Sequence, residues 1–462
     1  MNTQAVSAGR KVIFAAALLL AFTIAAFSGP LLFEKTEYAA RRTRLMDKIP
    51  DGAAVIFGAK PLAGYYPFVQ SNDFLYLCGV EAPDAVLVVD GKRRTSTLFM
   101  TLTERAARND GIPLDLVRDP GRATGIEAVL PADRLTSMLA GLAGRGYTLY
   151  TPFMPEELAR ECSPEKWRTL QAGMVADPWD GRLTRESQCV KLLRERFPAA
   201  ELKDCSAMIW ELRTVKSAAE IEVLRKAAAI AVRAYREVLR AVRPGMPEYE
   251  LAALFEYHCK KEGARDLAYY IILCSAENHP YVHYYKHDRV LRDGDFVVMD
   301  AGPDLTGYDI DITVSFPVNG VFTPRQKEIY EACLAVHEAN LSLYRPELTL
   351  EAVRSGVAEN LQKKGHDLKK DAFRQLSGGF GHYVGLAVHD VGGGPAVLKP
   401  GMVFANEPLA LYPGENLGVR VEDTVLVTES GCENLTAGIP RSVRDIEEFM
   451  KKAKVKGAGG GK

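Results

Sequence analysis

Residues 297–316 read VVMDAGPDLTGYDIDITVSF, and the fold of the chain turns on them. The apolar run FVVM (296–299) ends in Asp300, and after the turn residues PDLTG a second run, DIDITVSF (309–316), alternates polar with apolar. In an extended strand Asp309, Asp311, Thr313 and Ser315 share one face, and Ile310, Ile312, Val314 and Phe316 the other. Two such strands joined by a turn form a hairpin, which brings Asp300 and Asp311 to one place. An isolated alternating strand ordinarily turns its polar face to water. A carboxylate at the end of a wholly apolar neighbour argues for a shared acidic site instead.

Residues 419–427, VRVEDTVLV, repeat the logic. Arg420 and Glu422 fall on one face of a run apolar enough to be buried, where a charge requires a partner. Between the two stretches lie His382 and His389, in GGFGHYVGLAVHDVGGGP (378–395), and Glu407, in PGMVFANEP (400–408). His283 stands among aromatics in NHPYVHYY (278–285). Spacing alone does not say which histidine binds a ligand. Asp300, Asp311, Glu407 and Glu422 in one cavity would repel by roughly 4 kcal/mol per pair at about 4 Å and an effective dielectric near 20. Some would then hold a proton. Two divalent cations remove that cost. Oxygen ligands with one imidazole favour a harder ion such as Mn2+, with Co2+, Zn2+ or Fe2+ able to substitute. Two ions about 3.5–4 Å apart can lower the pKa of a shared water and polarise a carbonyl.

Working outward, 462 residues are too many for one core and imply two domains. The 58 Lys plus Arg against 59 Asp plus Glu leave a net charge of -1, which offers no general attraction to phosphate backbones or anionic lipid, so nucleic acid is excluded as a main partner. At the N-terminus Arg10 and Lys11 precede the apolar run VIFAAALLLAFTIAAF (12–27) and the breaker Ser28-Gly29-Pro30. This is the pattern of an export signal, or of a membrane anchor if it is retained. The expected location is therefore exported, periplasmic or extracellular, or membrane-anchored. The eight scattered cysteines, without a C-x-x-C pair, argue mildly against export and read as small buried hydrophobes.

The expected organisation is a signal or anchor at 1–33, an α/β domain at 34–200, a second, catalytic domain at 201–450 and a disordered tail at 451–462. In the first domain AAVIFGA, DFLYLCGV, AVLVVD and STLFMT read as strands, with a helix over 132–142. Tyr66-Pro67-Phe68 and Ser71-Asn72-Asp73 read as surface loop. In the second, Ser217-Ala218-Ala219-Glu220 is a capping box opening a long helix whose buried face carries Ile221, Leu224, Ala228, Tyr235 and Val238. A further helix spans 248–262.

With these residues in view, the chain resembles the metal-dependent pita-bread aminopeptidases, in the aminopeptidase P (Xaa-Pro aminopeptidase) and prolidase branch. The resemblance runs from about Tyr38 to Asn434 and rests on YPFVQSNDFLYLCGVEAPDAVLVV, LRTVKSAAEIEVLRKA, RPGMPEYEL, DGDFVVMDAG, DITVSFPVNGVFT, GHYVGLAVHDVG, PGMVFANEP and GVRVEDTVLVTESGCENLT. It implies a mixed α/β (α+β) chain whose C-terminal domain has two pseudo-symmetric halves around a curved antiparallel sheet, with a smaller N-terminal domain covering the pocket. It implies two metal ions held by Asp300, Asp311, His382, Glu407 and Glu422, with Asp311 and Glu422 bridging them. It further implies that His283 and His389 contact the substrate, that Glu407 moves protons and that Arg420 supports the site. The implied substrate is a peptide with proline in second position, and the implied assembly a homo-oligomer, dimer or tetramer.

Three departures bear on proline preference: Gly378 stands where the branch commonly has a histidine, Leu409 where Glu-Pro is usually followed by glycine, with Tyr412 one residue late, and His287-Asp288 where an Asn is common. Prolidase action on dipeptides is the nearest alternative. A creatinase-like C–N hydrolase without metal, or a metal-free binding module, would have no use for a complete ligand set.

Overall fold

The computed structural model describes residues 31–61, 66–392 and 397–459. The expected export signal lies outside these residues except for its last three. Of these, Phe33 packs its ring on Tyr38 and Tyr308.

The N-terminal domain is a six-stranded mixed sheet in the order Ala128–Leu130, Thr95–Phe99, Val86–Asp90, Gly52–Phe57, Thr148–Thr151, Leu202–Asp204. The central three strands pair antiparallel and the outer ones add in parallel. The last strand comes from the polar segment AELKDC, so the sheet ends beyond the expected boundary at 200; three paired residues at a sheet edge need no apolar face.

The stretch DFLYLCGV is not a strand but part of the helix Asn72–Cys78, which ends at Gly79 with a left-handed φ of 69°. Asn72 and Asp73 accordingly begin a buried helix rather than a surface loop.

Arg213 locks this helix to the second domain. Its guanidinium is 2 % exposed and bonds Asp73 at 2.7 Å and Asp390 at 2.6 Å, while Lys216 reaches the other Asp390 oxygen at 3.0 Å.

In the second domain the capping box at Ser217 opens the helix Ala218–Ala241 as expected, and its apolar face is buried over Leu224, Ala228, Tyr235 and Val238. This helix packs on Glu248–Lys261, and a second pair, Pro324–Leu343 and Leu350–Lys363, repeats the arrangement. The helices flank antiparallel strands: Ile272–Ser275, Phe296–Asp300 and Thr313–Pro317 form one sheet, and Phe380–Tyr383, Val403–Asn406, Asp423–Val427 and Cys432–Asn434 another.

Asp300 lies opposite Thr313 in register, so the Asp300 strand does neighbour the one that follows Asp311. The simple hairpin is corrected, however. PDLTG belongs to a separate small hairpin, Pro303–Leu305 with Tyr308–Asp309, and the run DIDITVSF breaks between Asp309 and Thr313. Gly302 explains how the chain crosses itself: a Cβ there would sit 1.6 Å from the Ile310 carbonyl oxygen, a contact no side chain permits. The polar face of this run, Asp309, Asp311, Thr313 and Ser315, is buried and not turned to water. The VRVEDTVLV run likewise divides into Leu417–Arg420 and Asp423–Val427, with Glu422 at the break.

The tail expected to be disordered from 451 is also corrected over its described part, because the helix Val443–Gly459 runs on through residues 451–459, while 460–462 lie outside the described residues. Lys and Ala favour helix, and KKAKVK contains no breaker before Gly457.

Candidate metal centre

The two split runs deliver acidic side chains to one cavity from their irregular ends. Asp311 lies in the break before Thr313–Pro317, Asp300 ends Phe296–Asp300, Glu422 lies in the break before Asp423–Val427, and Glu407 follows Val403–Asn406. Three of the expected ligands, Asp311, His382 and Glu422, offer atoms that all lie within 4.8 Å of one another. His382 Nε2 is 3.1 Å from Asp311 Oδ2 and 3.7 Å from Glu407 Oε1. Its Nδ1 faces the Tyr383 carbonyl at 3.1 Å, which directs Nε2 into the cavity.

Asp300 joins the group through a residue that sequence reasoning missed. The Tyr269 hydroxyl bridges Asp300 Oδ1 and Asp311 Oδ1, the latter at 2.5 Å. Glu407 is the least enclosed of the set, with a quarter of its side chain exposed at the cavity mouth. Gly381 permits its approach: a Cβ there would meet Glu407 Oε1 at 2.6 Å.

Arg420 donates to Asp300 and, through Nε, to the Thr313 hydroxyl at 2.8 Å, while Glu422 lies 3.8 Å away. Thr313 in turn donates to Glu422 Oε2 at 2.6 Å. Asp300 is therefore the principal partner of Arg420, and Glu422 the lesser one.

The scaffold behind the ligands is held by two more residues. Tyr235 places its hydroxyl 2.8 Å from the Ile312 carbonyl and 3.1 Å from that of Met299. Arg441 donates to the carbonyls of Thr313 at 2.6 Å and Glu422 at 2.5 Å, and to Asp423 at 2.5 Å. Of these, only Tyr235 had a signal in the sequence, as a member of a buried helical face. Tyr269 and Arg441 occur in stretches with no periodicity to mark them.

His389 stacks on His382 with ring centroids 3.5 Å apart. His283 sits on an exposed loop and makes no hydrogen bond with the ligand residues. At the departures, a side chain at Gly378 would meet nothing within 4 Å, His287 Nε2 bonds the Ile271 carbonyl at 2.9 Å, and the Tyr412 hydroxyl donates to the Asp371 carbonyl at 2.9 Å.

The electrostatics are those of an anionic site. Burial lifts Asp300 to about 7 despite Arg420 beside it. Burial, followed by the charges of Asp311, Glu407 and Asp300, pushes Glu422 well above the ordinary carboxylate range, and burial also raises Glu407. Asp311 goes the other way: burial opposes its charge, but the hydrogen bond and charge of His382 bring it down to about 2. Burial would strip His382 of its proton, and Asp311 more than compensates. Burial and then the His382 charge hold His389 near 3, so it stays neutral.

Four carboxylates thus share one fixed cation of the chain's own, Arg420, with His382 drawn toward its charged form by Asp311. Glu422 Oε1 is buried with no hydrogen-bond partner among the described residues. An orphaned buried carboxylate oxygen among acids that cannot all ionise fits bound divalent ions, with Asp300, Asp311, His382, Glu407 and Glu422 as the residues that would hold them. Replacing Tyr269 by Phe keeps the ring and removes the bridge. Metal affinity measured by titration is expected to fall by about tenfold, the lower end for an outer-shell contact.

The metallopeptidase family M24 matches residues 222–429, and the aminopeptidase P N-terminal domain matches residues 38–150. The Xaa-Pro aminopeptidase of Escherichia coli (strain K12) is 32 % identical over 461 residues, covering 91 % of this chain and 98 % of that protein. Among solved structures, proline aminopeptidase P II from Yersinia pestis superposes with a TM-score of 0.75 at 31 % identity, covering 91 % of this chain and 100 % of the other. The zinc-substituted E. coli aminopeptidase P in complex with product gives 0.75 at 30 %, covering 91 % and 99 %. With the acidic cavity, the histidine pair and both domains accounted for, the chain belongs to the Xaa-Pro aminopeptidases of metallopeptidase family M24.

Proposed function

We propose that this chain is an exported aminopeptidase that uses two divalent ions, Mn2+ by preference, to hydrolyse the bond between the first residue of a peptide and a following proline. The observation that carries the reading is the convergence of Asp311, His382 and Glu422 within 4.8 Å, with Asp300 tied to Asp311 through Tyr269. Asp300, Asp311, His382, Glu407 and Glu422 would hold the ions, which when bound would supply a water of lowered pKa and polarise the scissile carbonyl. Mn2+ is favoured because four of the five donors are carboxylates.

The remaining chemistry belongs to the chain's own groups. His389 stays neutral, so its ring can donate one hydrogen bond to the carbonyl oxygen as negative charge develops there. His283, on its exposed loop, is the second histidine this reading assigns to the substrate, and its charge acts on His389. The nitrogen of an Xaa-Pro bond carries no hydrogen and needs a proton to leave. Glu407, raised by burial yet reachable from the mouth, is placed to take a proton from water and return it to that nitrogen. Arg420 neutralises Asp300 and so holds it in place.

Export, with cleavage or retention of the N-terminal segment, rests on Arg10, Lys11 and the apolar run at 12–27. Association into a homo-oligomer belongs to the same reading.

The test is release of the first amino acid from Xaa-Pro-Yaa tripeptides after chelation and after Mn2+ is restored. Activity is expected to vanish on chelation and return with the ion, with tripeptides cut as well as dipeptides. Cleavage of Xaa-Pro dipeptides alone would favour the prolidase reading, and activity indifferent to chelator would overturn the metal.

A further inference from the structure

The segment FMPEEL (153–158) and the helix Arg185–Arg196 place Glu156, Glu157 and Glu186 on the wall of a cavity of about 490 Å3 in the N-terminal domain. That volume is in the range of small-molecule sites. Phe57, Met154, Trp167 and Trp210 form its apolar walls, with the two indole rings 5.9 Å apart. Trp167 is buried and donates its indole N–H to the Ala159 carbonyl at 2.6 Å, so this wall is fixed.

Glu156 and Glu186 are each anchored through one oxygen and free at the other. Glu156 is only 7 % exposed; its Oε1 accepts from the Asn72 N–H at 2.5 Å, and its Oε2 has no partner among the described residues. Glu186 Oε1 accepts from the Glu157 N–H at 3.1 Å, while its Oε2 is buried without a hydrogen bond among the described residues. The cations on the same lining are held elsewhere: Lys60 lies 3.6 Å from Asp84, Arg160 lies 3.5 Å from Asp304, and Arg185 donates to the Gly58 carbonyl. Asp73 is likewise taken, by Arg213 at 2.7 Å. Neither Glu156 nor Glu186 has an ion-pair partner among the described residues. Burial accordingly lifts both carboxyls to about 7.

The lining therefore has two unpaired acids at its polar end and aromatic faces beside them. A buried carboxylate requires a partner, and indole faces attract a cation as well as apolar surface. An anion would instead face three glutamates. We propose that this cavity is a binding site for a small organic cation, a primary ammonium on an apolar body, separate from the metal centre. The ammonium meets the free oxygens of Glu156 and Glu186, and the body lies against Trp167 and Trp210. Glu161, also on the lining, accepts the His389 N–H through its carbonyl at 3.1 Å, so the site borders the histidine side of the metal centre.

The experiment is calorimetric titration of the full chain, loaded with Mn2+, with 2-phenylethylamine and with 2-phenylethanol, which has the same body and no charge. The amine is expected to bind one per chain and at least about tenfold more tightly than the alcohol, about 1.4 kcal/mol. Glu156→Gln and Glu186→Gln, which keep the side-chain shape, should each weaken the amine about tenfold and leave the alcohol unchanged. Both variants should still cleave Xaa-Pro-Yaa peptides, which shows that they fold. Asp311→Asn separates this site from the metal centre, where a substrate's own ammonium end would lie, and should leave amine binding intact. Equal affinity for amine and alcohol, no binding of the amine, binding unaffected by both glutamine variants, or binding lost in Asp311→Asn would each overturn the inference. None of these outcomes touches the aminopeptidase reading, which stands or falls on peptide cleavage.

Discussion

Asp311→Asn is expected to lower kcat/KM for an Xaa-Pro-Yaa peptide by at least about 10³-fold, because even an outer-shell contact is worth about 10–100-fold. The side chain keeps its shape but loses the charge that lies 3.1 Å from His382 Nε2 and within 4.8 Å of a Glu422 oxygen. If Asp311 bridges two ions, bound metal per chain should fall from two to one or fewer. Loss of activity with both ions retained would move Asp311 out of the ligand set. The circular dichroism spectrum should be unchanged, since the Asp311 backbone stays pinned by Thr424, whose hydroxyl donates to the Asp311 carbonyl at 2.7 Å and accepts from its N–H at 3.0 Å.

The second large effect concerns stability. Arg213→Met is expected to cost about 3–5 kcal/mol in urea unfolding, the range for stripping a buried charge of its partner. The substitution leaves Asp73 with no cation and Asp390 with Lys216 alone. Adding Asp73→Asn to Arg213→Met should recover part of the loss, since one uncompensated carboxylate is then gone. The dependence on pH has a definite sign. Burial opposes the charge of Asp390, but Lys216 and Arg213 together hold its pKa below the usual value near 3.8. Its contribution is therefore present above about pH 4 and is lost as pH falls through the lower folded-state value. A wild-type advantage over Arg213→Met that grows on acidification below pH 4 would contradict the assignment.

The sequence carried the ligand residues further than it carried the backbone that places them. Asp300, Asp311, His382, Glu407 and Glu422 were named through the resemblance, and the structure brings them to one cavity. Alternation alone put Asp309 and Asp311 on one face of a single strand, and there it failed. A break in the strand leaves no trace in a period-two pattern, and the close crossing at Gly302 is a long-range contact. DFLYLCGV reads as a strand because its apolar residues suit either period, yet most of it lies in the helix Asn72–Cys78. The flanking Ser71 and Gly79 were the legible signals, as residues at the start and left-handed end of a helix. Tyr269 could not be reached from the sequence at all, because it bridges two carboxylates distant from it in the chain and sits in no motif.

The central claim is that acids from separate strands are made compatible by two cations between them. It is tested most directly by crystals of the full chain grown with Mn2+ and measured at the manganese absorption edge. The anomalous map should show two peaks per chain, flanked by Asp300, Asp311, His382, Glu407 and Glu422. A catalytically active crystal with no anomalous peak among these five residues would contradict the account.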